Sequence, residues 1–400
     1  MSPPLVAEKG SHHSTPLIGL AELMTRVFKG ENLTVTGKDL LARSHQNDPH
    51  ALLDLSILLQ LQHQKVTALA LQNEALQQQQ IFSLTSDKID NPIKLLAIYT
   101  SGDLMTNTPL EFVAEGAGFS LQMLYIAKDL PVITQIPEHD IAIIALSELD
   151  RNLEALALVE QLLPRLNQPI LNMPAKIKGL ARDQISQTLQ NLDGIEIPPT
   201  NRQSRQQLLS ENTWCFPLII RPIDSHAGVD LAKIEDAQQL QSYLSHCAAT
   251  QFFTAPFVDY KCADGLYKKY RIMFVNGEAF IAHMAISEHW MIHYLNAGML
   301  DSAAKRFTEA QVMGNFEYDF GKRHQRAFKQ LTAAVGLDYF GIDCAETADG
   351  KLLIFETCAA LNIHAMDCEI TFPYKKAQMQ KIFDAFQQML IDKITGAKAI

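Results

Sequence analysis

No stretch of this sequence approaches the roughly 18 to 20 uninterrupted apolar residues that a membrane span needs. The opening residues, MSPPLVAEKGSHHSTP, have neither a basic n-region nor an apolar h-region. Together these absences predict a soluble, cytoplasmic protein with no membrane association. There is no C-x-x-C pair either: Cys215, Cys247, Cys262, Cys344, Cys358 and Cys368 are scattered through the second half. That spacing argues against a disulfide framework or a zinc knuckle and predicts reduced thiols. Nor is there a basic excess. Lys and Arg number 34 against 44 Asp and Glu, and the net charge of −10 offers no field to hold DNA or RNA across the surface. A local basic pocket for a small phosphate stays open.

What is present is a globular balance, 47% hydrophobic and 20% charged over 400 residues, a length that suggests roughly two to three domains. From Leu17 to Phe82 the apolar spacing is helical. Leu17, Leu20, Leu23, Met24 and Val27 make one stripe, Leu52, Leu55, Leu58 and Leu59 a second, and Val66, Leu69, Ala70, Leu76 and Phe82 a third. This predicts a small all-helical hairpin domain over 1–90. Between 51 and 80 only Asp54, Lys65 and Glu74 are charged, and the polar face is built from Gln72 and Gln77 to Gln80. Such a face is either plainly solvated or a docking surface for a protein partner over 17–82, resembling a single tetratricopeptide unit.

At Asp90-Asn91-Pro92 the period changes. Ile93–Tyr99, Leu121–Ile126, Ile141–Leu146 and Gln168–Leu171 read as strands, with helical stretches at 109–120 and Leu153–Leu166 between them. This alternation predicts an α/β domain with a parallel sheet over 91–180. No G-x-G-x-x-G follows its first strand, so a dinucleotide fingerprint is missing. Beyond Asp183 the pattern becomes α+β, and Asn276-Gly277 between two apolar runs predicts a β-hairpin.

Leu337 to His364 is the most informative segment. Two strand runs flank Asp349-Gly350, and a two-residue turn there makes pairing partners sum to 699. Asp343 then faces Glu356, and no base in this short hairpin offsets the pair. A hard divalent cation such as Mg²⁺ is the natural bridge. The same sum sets Gly341 opposite Cys358, with an unfilled space beside the thiol. If the turn is longer, the register slips and one carboxylate points to solvent. A second constellation runs from Phe216 to Gly228, where a strand ends in Arg221 and the small-residue loop Ser225-His226-Ala227-Gly228 follows. Its amides suit phosphate, although it is no Walker sequence and a surface loop has the same composition. Asn172-Met-Pro174 with Arg182-Asp183 is less specific. In Ser287 to Asn296, His289 and His293 would share a helical face, a spacing that fits a metal pair, a substrate-binding segment or ordinary packing. His364 is a similar substrate candidate.

In order, N-x-P…R-D, P-L-I-I-R-P…S-H-A-G, A-P-F-V-D-Y, Y-R-I-M-F-V-N-G, G-I-D and F-E-T-C make residues 91–395 resemble the ATP-grasp superfamily. In particular they resemble the branch of glutathione synthetases and ribosomal-protein glutamate ligases. The resemblance implies two ATP-grasp halves, 181–260 and 261–400, behind the α/β domain. It implies that Arg182 and Arg221 stand where lysines usually hold the ATP phosphates, and arginine keeps that charge with a planar fork. It further implies that Ser225, His226 and Gly228 cover the phosphates, that Phe257 and Val258 hold adenine by backbone groups, and that Asp259 meets the ribose. Arg271 matches the arginine that meets the transferred phosphate, and Asp343, Glu356 and Cys358 occupy the metal positions. His289, His293, Tyr294, Asn296 and His364 would border the substrate. Where the superfamily has E-x-N, this chain has Glu356-Thr357-Cys358, and a thiol is a poor ligand for Mg²⁺, so Mn²⁺ or a weakened site follows.

The implied function is an ATP-dependent carboxylate–amine ligase that forms an amide through an acyl-phosphate. A catalytically weakened nucleotide-binding scaffold with a docking helical domain, and an ATP-grasp kinase, are the alternatives.

Overall fold

Asp48 followed by Pro49 starts a helix. The Asp48 carboxylate accepts from the His50 and Ala51 amides, and proline at the first helical position surrenders an amide that would have had no partner. The resulting α3 (Pro49–Leu61) packs against α1 (Leu20–Phe28), α2 (Thr34–Ser44) and α4 (Lys65–Gln78), and is buried along most of its length. The computed structural model describes residues 15–84, 90–114, 118–210, 214–225 and 228–398.

Two features depart from the expected hairpin domain. Phe82 belongs to a strand, β1 (Ile81–Leu84), with its ring fully buried. The glutamine face is used within the chain. Gln60 and Gln72 accept from the amides of Leu104 and Gly102, while Gln77 and Gln80 donate to the carbonyls of Asp129 and Tyr125. That face is thus partly engaged within the chain, with Gln77 and Gln78 still exposed. Leu52, Leu53, Ala75 and Leu76 join the core of the neighbouring sheet.

In that sheet β2 (Ile93–Tyr99), β3 (Phe119–Tyr125), β4 (Ile141–Ile144) and β5 (Ile170–Leu171) are parallel in the order β3-β2-β4-β5, and β1 adds antiparallel outside β3. β4 and most of β2 are continuous apolar runs, as in a sheet covered on both faces, whereas Ser120 and Gln122 alternate with buried residues in β3. α5 (Glu111–Ala114) is shorter than the predicted 109–120 stretch, part of which lies outside the described residues. α6 (Leu153–Leu162), α7 (Pro174–Lys178) and α8 (Arg182–Leu189) follow.

Past β6 (Ile195–Glu196), a second, antiparallel sheet has the order β7 (Asn201–Ser204), β10 (Gln251–Pro256), β8 (Leu218–Pro222), β9 (Ala232–Ile234). Leu208 of α9 (Arg205–Ser210) and Leu240 and Leu244 of α10 (Ala237–His246) close its core. The third sheet runs β12 (Glu278–Ser287), β11 (Tyr267–Val275), β13 (Tyr339–Glu346), β14 (Leu352–Cys358), β6, with only β6 parallel to its neighbour. It packs on α11 (Ala303–Gly314), α12 (Phe320–Arg323), α13 (Gln325–Val335) and α14 (Lys375–Lys398). Asn276 and Gly277 both have positive φ, 50° and 86°, as the hairpin turn between β11 and β12 requires. Among the described residues no helix is long and apolar enough to cross a membrane.

The β13–β14 hairpin reaches its register by a different route from the two-residue turn. Glu346 pairs with Leu352 and Cys344 with Ile354, so near the turn partners sum to 698, and residues 347–351 form the loop. A bulge at Phe355 adds one residue to β14. Beyond it Asp343 faces Glu356 and Gly341 faces Cys358. The space expected beside Cys358 is filled: a Cβ on Gly341 would meet Met273 Sδ at 2.6 Å and Leu361 Cδ1 at 2.8 Å.

Candidate active site

Residues paired in register share a sheet face, and register pairs His283 of β12 with Arg271 of β11, Arg271 with Asp343 of β13, and Asp343 with Glu356 of β14. Four ionisable side chains therefore form one row across the third sheet. No base within the hairpin offsets the two carboxylates, and the positive charge expected beside them comes from other elements of the protein. Arg271 Nε donates to Asp343 Oδ1 at 2.8 Å and Nη2 to Oδ2 at 3.1 Å, while Lys269 Nζ donates to Oδ2 at 2.9 Å. Lys269 precedes Arg271 by two residues, so both side chains leave the same face of β11. Arg182, at the start of α8, reaches Glu356 Oε2 at 2.8 Å and donates to the carbonyl of the bulged Phe355 at 2.8 Å.

Burial pushes the Asp343 carboxyl up, but Arg271 and Lys269 more than reverse this and hold it well below the usual range. Burial likewise opposes ionisation of Glu356, and Arg182 with Arg221 outweighs it and keeps that pKa low. Arg221, ending β8, donates to Ser225 Oγ at 3.1 Å and holds the Ser225 carbonyl as well. Burial, then the neighbouring Arg182, pushes the Arg221 guanidinium down to about 9. Asp224 anchors this turn to the first sheet's layer by accepting from the amides of Asp150 and Arg151. Gly228 has a φ of 76°, and His226 lies outside the described residues. Glu148, Asp150, Arg182, Arg221, Ser225 and Glu356 border an open cleft.

The Phe257 ring contacts Lys233, whose ammonium is 4.1 Å from its centroid, and Trp290 at 5.7 Å. Val258 packs against the cluster of Tyr260, Tyr267, Ala285 and Leu353. Asp259 is exposed and accepts from the Lys261 amide.

The acidic and thiol groups sort differently from the expected trio. Ligand atoms of Glu148, Glu356 and Cys358 lie within 4.8 Å of one another, and Asp343 is outside that group. Glu148 comes from the loop after β4, and its Oε2 accepts from the Ala359 amide. Burial, then repulsion from Glu356, pushes the Glu148 carboxyl up to about 7. Burial, then Glu148 and Glu356, raises the Cys358 thiol well above its ordinary value, so it stays protonated. Two carboxylates suit a hard divalent cation and the thiol does not.

His289 and His293 do not share a helix. His289 sits exposed in the bends after β12, and His293 caps the short turn Tyr294–Asn296, where Asn296 Oδ1 accepts its amide at 3.0 Å. Burial, then Lys269 and Arg271, lowers the His293 pKa. The Tyr294 hydroxyl donates to Glu309 at 3.0 Å. His364 lies on the loop after β14, and burial lowers its pKa also.

Four further residues join the site. Lys269 was visible in the alternation of β11. His283 was hidden by a bulge, since the Asn276-Gly277 turn alone would put residue 282 opposite Arg271. Its Nδ1 is buried without a partner among the described residues. Lys233 is placed by β9, and Glu148 arrives from 211 residues away, with no local signal.

No family model matches the chain, and no curated protein matches it. Similar solved structures include a RimK domain ATP-grasp protein from Sphaerobacter thermophilus, 13% identical, covering 75% of this chain and 99% of that one at a TM-score of 0.41. The VanG D-Ala:D-Ser ligase of Enterococcus faecalis is 13% identical, covering 76% and 99% at 0.46. A D-alanine–D-alanine ligase of Bacillus anthracis complexed with ATP is 14% identical, covering 77% and 98% at 0.45. At these TM-scores the likeness carries no functional weight; the residues of the cleft do.

Proposed function

We propose that this chain is an ATP-dependent carboxylate–amine ligase that joins its substrates through an acyl-phosphate. One observation supports the reading above all. Arg182, Arg221, Lys269 and Arg271 converge on two carboxylates held ionised, Asp343 and Glu356. Burial keeps the third, Glu148, partly protonated near neutrality. Positive charge left over in a cleft favours an anion, and a triphosphate with its cation matches both the arginine forks and the carboxylates.

In this reading Arg182 and Arg221 hold the phosphates, and Ser225, Gly228 and the undescribed His226 cover them. Backbone groups of Phe257 and Val258 hold adenine, with the Phe257 ring held by Lys233 and Trp290, and Asp259 meets the ribose. Arg182 leaves Glu356 for phosphate, which frees that carboxylate. Glu356 and Glu148 would hold Mg²⁺ or Mn²⁺, with Asp343 close by on the same face and Cys358 a weak contributor. Such an ion offsets phosphate charge and makes the γ-phosphorus more electrophilic. Arg271 stabilises the charge on the phosphoryl group as the substrate carboxylate attacks it and ADP departs. The amine then attacks the acyl carbon and phosphate leaves. His289, His293, Tyr294, Asn296 and His364 border the substrate, and closure of the cleft keeps water from the acyl-phosphate.

Incubating the protein with ATP, Mg²⁺ or Mn²⁺ and pooled amino acids or peptides should release ADP only when a substrate pool is present. ATP bound without ADP release under every pool would defeat the ligase reading. A phosphorylated product in place of an amide would point to a kinase. The protonated Cys358 keeps the weakened-scaffold reading alive, and Cys358→Asn separates the two: raised turnover marks a weakened enzyme, continued silence a scaffold.

A further inference from the structure

α1 is held at its start by two buried acids from different elements. Asp54 of α3 accepts from the amides of Ile18 at 2.8 Å and Gly19 at 2.9 Å, and Glu111 of α5 accepts from Ala21 at 3.0 Å. The grip fixes where the other end of α1 points. Its last residue, Phe28, stands with its ring centroid 5.9 Å from that of His364, and Phe112, next to Glu111, stands 6.0 Å from the same imidazole. Phe112 is 2% exposed, whereas Phe28 is 52% exposed. One phenyl ring therefore backs the imidazole and the other offers an open face beside it.

The His364 loop is tied to Arg271 and to Thr108. Its Asn362 carbonyl accepts from Arg271 Nη1 at 3.0 Å, and its Ala359 carbonyl accepts from Thr108 Oγ1 at 2.9 Å. Burial, with Lys375 and Arg271 nearby, keeps His364 neutral against the pull of Asp367. Phe28 thus presents a half-exposed aromatic ring beside a loop that Arg271 holds.

We infer that Phe28 and His364 form an aromatic wall at the substrate end of the cleft, and that the amine-bearing substrate carries a bulky apolar group that packs on it. This rests on the ligase reading for the identity of the site as a substrate end. The N-terminal helices are then a structural part of the cleft, and Phe28 determines specificity.

The test uses the full chain, saturated with a non-hydrolysable ATP analogue and Mg²⁺, and titrated with L-phenylalanine or L-serine by calorimetry. Wild type should bind phenylalanine in preference to serine. Phe28→Ala should weaken phenylalanine by roughly tenfold or more, and Phe28→Leu should restore most of it. The analogue titration on each variant is the control for folding and should be unchanged. Equal binding of phenylalanine by wild type and Phe28→Ala, or no preference for phenylalanine in wild type, overturns the inference. Failure of wild type to bind the analogue overturns the ligase reading and the wall with it, whereas analogue binding with equal phenylalanine affinity in wild type and Phe28→Ala overturns the wall alone.

Discussion

Arg271 is the residue through which most of the site is connected. It grips Asp343 with two nitrogens and the His364 loop with a third. Lysine at this position would keep the charge and lose the fork, so Arg271→Lys should lower kcat more than it raises the KM for ATP, and Arg271→Ala should cost about 100-fold or more in kcat. Steady-state ADP release separates the two parameters. The cysteines give a check that needs no substrate. Cys358 and Cys344 are buried with thiols raised well above their ordinary value, whereas Cys368 is exposed and its thiol is lowered by the Thr371 backbone and hydroxyl and the Ile370 amide. In the native protein a thiol reagent should label Cys368 first and leave Cys344 and Cys358 unmodified until denaturant is added. Mass mapping of labelled peptides reads the order.

At the scale of single elements, the β13–β14 hairpin and α1 make separate predictions. Gly341→Ala drives a methyl group toward Met273, Leu361 and the Ile272 carbonyl, so it should destabilise the fold by about 1–3 kcal/mol in urea titration. The α1 clasp is sensitive to pH. Burial raises the Asp54 carboxyl from 3.8 to about 6 and the Glu111 carboxyl from 4.5 to about 7. The folded state then binds more protons than the unfolded chain across that interval, so stability falls as pH rises from about 4 to 7 and levels off above. Glu111→Gln should gain on wild type over that window, by up to about 3 kcal/mol at its upper end. Parallel denaturation curves at pH 4.5 and 7.5 measure it.

The same elements show what could be read in the chain. The pairing sum of 699 holds at Asp343 and Glu356 because a five-residue loop and the Phe355 bulge offset one another. Neither has a clear local signature, while Asn276-Gly277 does, because its two positive φ angles demand those residue types. The helical reading of His289 and His293 failed since four-residue spacing alone does not make a helix, and the chain there bends and caps a single short turn.

Over the whole molecule, what escaped the sequence is what travels farthest along it. Glu148 meets the Ala359 amide, Phe28 meets His364, and glutamines of α3 and α4 fasten onto loops of the first sheet. Local periodicity reports which elements form and is silent about which loops they bring together. The mixed α/β and antiparallel layers, in contrast, followed from changes of period at residues 91 and 183. The molecule gathers Arg182 from α8, Arg221 from the second sheet, and Lys269 and Arg271 from the third around the paired carboxylates Asp343 and Glu356. The most direct test of that convergence is a calorimetric titration of the full chain with ATP in the presence of Mg²⁺. Wild type should bind, with Arg182→Met/Arg221→Met weaker by about 100-fold or more. No binding by wild type, or equal binding by the double variant, would contradict the account.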